Sequence, residues 1–186
     1  MRYQIITLFA LFIAGLFVSC EKNETVIPSS QKILFEYYYV NYAWGYSHYG
    51  FFIDNEGRIL DYSQQGGYND NDWNFPDDQG SISEQALMEN LQKTTIRDTS
   101  IDKETLKKYS DRIYLVKDDD YTEYQNMYDY GSLACVCYQY DENTKIYKRI
   151  LLSEDGDWVR INKNKYAAQI SDWLKSIHIR NVYYED

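Results

Sequence analysis

Residues 49–62 read YGFFID, then Asn55-Glu56-Gly57, then RILDY: two apolar runs parted by turn chemistry. No other stretch constrains the fold as strongly. Side chains along a strand alternate between two faces, and a short turn of this composition returns the chain antiparallel on itself. A hairpin here commits the domain to an antiparallel sheet. Upstream, residues 33–43 (ILFEYYYVNYA) form one long strand with mixed faces. Downstream, residues 133–140 (LACVCYQY), a turn at Asp141-Glu142-Asn143-Thr144 and residues 146–152 (IYKRILL) predict a second hairpin, and residues 158–161 (WVRI) add a short strand. The 21 tyrosines suit pleated, half-buried surfaces of this kind.

Between and after these runs the apolar period changes. Ser83 stands as an N-cap before Leu87 and Leu91, four residues apart, and Ile82 is placed to staple Leu87. A second helix follows Asp102, with Leu106, Tyr109 and Ile113 on one face and Ile101 as its staple; Asp118-Asp119-Asp120 ends the pattern. A last helix near residues 165–178 carries Ala167, Ile170, Leu174 and Ile177. The order β-β-β, α-α, β-β-β, α predicts an α+β fold: an antiparallel sheet built from hairpins, with the helices segregated to one side.

Residues 64–80 (QQGGYNDNDWNFPDDQG) form a long polar loop, a length that usually marks function or flexibility. Asp70, Asp72 and Asn74 fall at the first, third and fifth places of an EF-hand loop, but Phe75 stands where glycine is required and Ser81 where glutamate is, so no metal site is read. Tyr68, Trp73 and Phe75 in this loop have two uses. They fold back onto the core, or they face outward to stack on a carbohydrate or anchor a protein partner, where Trp and Tyr are favoured. The expectation is the second, with Trp73 at least partly exposed. Alternation along residues 37–46 sends further tyrosines outward.

The N-terminus fixes the compartment. One positive charge, Arg2, precedes fourteen uncharged residues, 5–18 (IITLFALFIAGLFV). The run is short of the ~20 residues that span a bilayer and has the form of a secretory signal peptide. Its end, Leu16-Phe17-Val18-Ser19-Cys20, resembles the lipobox of bacterial lipoproteins, with Val18, Ser19 and Cys20 in matching places and Phe17 where Leu is usual. The resemblance implies that Cys20 is lipidated and becomes the first mature residue, held by two or more acyl chains. Glu21-Lys22-Asn23-Glu24 is similar to the export stretch of Bacteroidetes surface lipoproteins, which places the chain at the outer membrane, on the cell surface or the periplasmic face. Residues 1–19 are then a signal peptide, residues 20–31 a lipidated and flexible tether, and residues 32–186 a single domain. Removal of Arg2 takes the net charge from −10 to −11. That balance excludes nucleic acid, which needs a basic footprint, and leaves the acyl chains as the membrane contact.

His48-Tyr49-Gly50-Phe51-Phe52-Ile53 resembles the H-x-G-I-Y strand of permuted papain-like (NlpC/P60-type) hydrolases. That likeness implies His48 as base, with Cys135 or Cys137 downstream as nucleophile. In that family the Cys opens a helix, whereas Cys135 and Cys137 sit in a strand run, where free thiols act as small buried hydrophobes. A metal site at Cys135-Val136-Cys137 lacks further soft ligands, since His48 and His178 are the only histidines. No G-x-S-x-G, P-loop or H-E-x-x-H occurs, and no cofactor is implied. The expected function is a non-catalytic binding or interaction module of the cell envelope, for a carbohydrate or protein ligand. A cysteine hydrolase and a purely structural envelope protein are the alternatives.

Overall fold

The computed structural model describes residues 27–43, 45–66 and 73–182. The elements are β1 (Ile33–Asn41), β2 (Tyr46–Asp54), β3 (Arg58–Gly66), β4 (Ser81–Ser83), α1 (Glu84–Leu91), β5 (Thr95–Ser100), α2 (Lys103–Ser110), a 3₁₀ turn (Ile113–Leu115), β6 (Tyr121–Gln125), β7 (Ser132–Asp141), β8 (Ile146–Gly156), β9 (Trp158–Asn162) and α3 (Lys165–Val182). Nine strands form one antiparallel sheet in the order β5-β3-β2-β1-β7-β8-β9-β6, and β4 pairs with β8 off that path. The domain is α+β. Among the described residues no helix is long and apolar enough to cross a membrane.

Local chemistry explains the turns and helix starts. Asp54 accepts backbone N–H bonds from Glu56 and Arg58, and Gly57, at φ +82°, takes the left-handed conformation that closes the β2–β3 hairpin. Ser83 Oγ accepts from Ala86 N at 3.2 Å, and Asp102 Oδ1 from Thr105 N at 2.9 Å, the expected N-caps. Ile82 and Leu87 share one apolar cluster, as a staple requires.

The helices do not all lie on one side. One face of the sheet, carrying Tyr37, Phe51, Ile53, Cys135, Cys137 and Ile150, packs under α2 and α3. The other, carrying Phe52, Leu60, Tyr62, Val136, Tyr138 and Tyr147, packs under α1 and Trp73. Adjacent Phe51 and Phe52 show why. The central strands are apolar on both faces, so both need cover. β4 supplies it by pairing with the first half of β8, through Ile82 against Tyr147, which holds α1 over the second face.

Three strands escaped the sequence pattern: β4, β5 (TIRDTS) and β6 (YTEYQ). β5 and β6 are the two ends of the sheet, mostly exposed, and carry polar or charged side chains as edges do. Backbone pairing, not burial, makes them strands. The ordered domain also begins before residue 32. Gln31, expected at the end of the tether, is fully buried; its Nε2 donates to Ile33 O at 2.9 Å and to Tyr138 O at 2.7 Å, and its Oε1 accepts from Tyr114 Oη. Ile27 packs on the core beside it.

Candidate functional site

The second face is not a dry core. At its centre, in the middle of β1, lies the buried carboxylate of Glu36. It faces three strands at once. Tyr62 of β3 donates to Oε1 at 2.7 Å, Tyr138 of β7 donates to Oε2 at 2.6 Å, and Arg149 of β8 places Nε 3.6 Å from Oε2. The last distance is an ion pair but too long for a hydrogen bond. Burial raises both phenols well above their ordinary range, with the nearby Glu36 charge adding to it, so both remain donors. The Arg149 guanidinium also stands over the Tyr38 ring at 4.6 Å.

Gly50 makes this convergence sterically possible. It lies in register with Tyr38 on one side and Tyr62 on the other, and a Cβ there would fall 2.1 Å from Tyr37 O. Only glycine lets the strands approach this closely.

His48, on β2, completes the cluster. It is 4 % exposed, and its Nε2 lies 3.3 Å from Tyr62 Oη. The Tyr62 hydrogen is already given to Glu36, so Tyr62 Oη is the acceptor and His48 Nε2 carries the hydrogen. Burial lowers the imidazole pKa to about 4, so the ring is neutral at pH 7. Nδ1 is therefore a bare acceptor, and among the described residues it finds no hydrogen-bond partner; neither does Arg149 Nε nor, on the other face, Arg97 Nη1. Buried polar atoms without partners are rare in folded proteins.

Glu36, His48 and Arg149 line a cavity of about 110 Å³ with Tyr38, Phe52, Trp73 and Phe75. It has room for several waters. Residues 73–76 form its outer wall, and α1 holds that wall in place. Buried Asn90 accepts from Asn74 N at 2.8 Å and donates to Asn74 O at 2.7 Å, a side chain pairing with a backbone as a strand would. Trp73 then lies 4.6 Å from Tyr62 and stands edge-on to His48 at 5.7 Å, while Phe75 reaches His48 at 5.7 Å.

The fate of each sequence-designated residue follows. Trp73 is 7 % exposed, so the expected outward tryptophan is instead a wall of the second core; the apolar surface of Phe52 and Tyr62 draws it inward. Phe75 is 40 % exposed, at the cavity mouth. Tyr68 and Cys20 lie outside the described residues. Asn74, tested as a calcium ligand, donates its side-chain amide to Ala86 O and Glu89. Among the described residues no group of three or more His, Cys, Asp or Glu gathers as a metal site.

The structure separates the papain-like pair. His48 belongs to the cavity face, whereas Cys135 and Cys137 belong to the face under α3. β7 alternates Cys135, Val136, Cys137, Tyr138, and the odd members point away from His48. Cys135 Sγ donates weakly to Ser171 O at 3.8 Å, and burial pushes both thiols up, the reverse of nucleophile activation.

Sequence reasoning passed over Glu36 and Arg149. Glu36 is a lone charge in ILFEYYYV, and Arg149 follows Lys148 in IYKRILL, where alternation turns one of the two adjacent cations inward; opposite charges on inward faces of core strands are the signal that points to them. No family model, curated protein or solved structure matches this chain.

Proposed function

We propose that this chain is a lipid-anchored, non-catalytic binding module of the bacterial cell envelope, and that part of its ligand seats in the aromatic cavity over Glu36, His48 and Arg149. One observation carries the reading: Glu36, His48 and Arg149, polar or charged side chains of core strands, line a concave space walled by Trp73 and Phe75. A few placed polar groups in an aromatic-lined concavity is the usual composition of a ligand site. The reading is non-catalytic for two reasons. The cavity is lined by one carboxylate, Glu36, where glycoside hydrolysis uses a pair. The two thiols that nucleophilic chemistry would need are buried beneath the opposite face.

The lipobox-like LFVSC supports anchoring through Cys20. Cys20→Ala is expected to leave an unprocessed precursor or release the protein from membranes, and unchanged processing with unchanged detergent partitioning would overturn the anchor. For the binding site, the ¹⁵N-labelled mature chain is titrated with a panel of saccharides and peptides. Shifts of the Trp73 indole and of backbone signals at residues 36, 48, 75 and 149 are expected with at least one class. Shifts confined to other surfaces, or none at all, would overturn it.

A further inference from the structure

We infer that a short tether holds one end of the domain against the lipid headgroup layer and presents the cavity mouth at the opposite end, away from the bilayer. The inference rests on the lipid-anchored reading above. It adds the surface that meets the membrane and the side from which a ligand arrives.

The chain is pinned to the fold soon after Cys20. Ile27 packs on the core under α2 and, with Pro28, lines a space shared with Asn55 and Glu56 of the β2–β3 turn and with Lys103 and Lys107 of α2. Gln31 N donates to Pro28 O at 3.0 Å, and Ser30 Oγ donates to Glu142 of the β7–β8 turn. Lys32 N donates to Tyr147 Oη at 2.9 Å, and Asn55 N to Lys32 O at 2.8 Å. Together with the buried Gln31 side chain, held by Tyr114 and two backbone carbonyls, these bonds fix where the tether leaves the domain.

The length of what remains sets the geometry. Ile27 lies seven residues from Cys20, and seven residues reach at most ~25 Å when fully extended. A single domain of this size is roughly 40 Å across. With the opposite end on the bilayer, Ile27 would stand about that far above it, beyond the reach of the tether. A domain lying on its side would raise Ile27 by roughly 20 Å, more than the ~15 Å root-mean-square span of seven residues of unfolded chain. The end at Ile27 therefore faces the membrane.

β1 leads from that end to the other. From Ile33 to Asn41 it rises ~27 Å, and Glu36, Tyr38, Val40 and Tyr42 line the cavity in turn along it. Phe75 stands against His48, the register partner of Val40, so exposed Tyr42 and Phe75 mark a mouth at the far end. Tyr39 Oη donates to Tyr130 O at 2.8 Å, which brings exposed Tyr128 and Tyr130 to the same end. The chemistry of the two ends differs accordingly. The tether end shows Lys32, Asn55, Glu56, Lys103 and Lys107, mixed polar side chains that suit a hydrated headgroup layer. Cations and carboxylates there offset one another, so the tether and not net charge brings the contact. The far end shows aromatic rings, open to a ligand outside the anchoring bilayer.

The test reads the distance of each end from the headgroups. The full chain, expressed with its leader and taken from membranes, is reconstituted into vesicles of phosphatidylethanolamine and phosphatidylglycerol that carry a nitroxide-headgroup lipid. Fluorophores are placed one at a time through Glu56→Cys and Lys107→Cys at the tether end and Tyr128→Cys and Tyr130→Cys at the far end, all exposed positions, while Cys135 and Cys137 are buried. Quenching at 56 and 107 is expected to exceed that at 128 and 130 by about fivefold or more, because the two ends stand most of a domain diameter apart. Equal quenching at the four sites, or stronger quenching at 128 and 130, in protein that floats with the vesicles overturns the inference and leaves the anchor standing. Protein that does not float with the vesicles overturns the anchor, and the inference with it. A Gly-Ser insert of about twenty residues between Glu24 and Thr25 is expected to level the four signals, since the tether then no longer restrains the domain. A difference that survives the insert overturns the inference, because something other than a short tether then holds that end down.

Discussion

Under α2 and α3, Phe35 meets Trp173 edge to face at 5.1 Å, Tyr109 stacks on the same indole at 4.2 Å, and Ser153 Oγ and Ser171 Oγ pair at 2.6 Å. Under α1 and residues 73–76, Phe52, Tyr62 and Trp73 are as closely packed, yet they surround a carboxylate, a neutral imidazole and a guanidinium. Both faces bury aromatic residues behind helices. They differ in what they surround: the first leaves one donor, Arg97 Nη1, unmatched beside the Phe51 ring, and the second leaves His48 Nδ1 and Arg149 Nε unmatched among residues that line a cavity. A core and a site are told apart here by charged and polar side chains gathered around a cavity, not by burial or hydrophobicity.

The largest expected effects test whether the 73–76 wall is core. Trp73→Ala should destabilise the fold by about 3–5 kcal/mol, as Trp173→Ala should on the other face, read by urea denaturation of each variant. A cost for Trp73→Ala of under about 1 kcal/mol, typical of a surface change, would mean that the wall is not part of the core and would erase the likeness of the two faces. Next comes Glu36→Ala. It strips two phenols and Arg149 of their partner and should cost about 3 kcal/mol, toward the low end for a broken buried pair because Arg149 reaches solvent. Adding Arg149→Met should recover part of that loss in a double-mutant cycle; strict additivity would show that the two residues do not interact.

His48 adds a pH dependence to that of His178, whose pKa burial also lowers where it stacks on Tyr37 of the first face. The folded pKa of His48, about 4, lies below the ordinary 6.5, so between these values the unfolded chain binds more protons. The stability tied to the neutral ring is complete above pH 6.5 and falls as pH drops toward 4, by about 2 kcal/mol at pH 5. Denaturation at pH 7.5 and pH 5, compared between the unaltered chain and His48→Phe, isolates it; parallel losses in both would remove His48 as the cause. The smallest effect is on the thiols. With Cys135 and Cys137 buried and pushed up by burial, iodoacetamide should modify neither until the protein unfolds. Rapid native labelling would show that the first face opens.

Much of the fold was legible because it depends on near neighbours. The Asn55-Glu56-Gly57 turn, the Ser83 and Asp102 caps and the apolar spacing through Ile170 and Leu174 act within a few residues. β4, β5 and β6 were not legible, since an edge strand owes its state to a partner's backbone. The site was legible in fragments. His48 and Trp73 were singled out for chemistry or exposure that the fold reassigns, Phe75 is exposed at the cavity mouth, and Glu36 and Arg149 were passed over. A charge inside an apolar strand announces that something must pair with it, without saying what.

From the residues alone came the antiparallel α+β plan and the helix starts, since each is written in adjacent or periodically spaced side chains. The tertiary structure alone decided which face each residue serves. A strand side chain's face follows from register, and register follows from pairing between segments as far apart as Glu36 and Val136. That pairing puts Cys135 and His48 on opposite faces and draws Glu36, Tyr62, Tyr138 and Arg149 from four strands onto one.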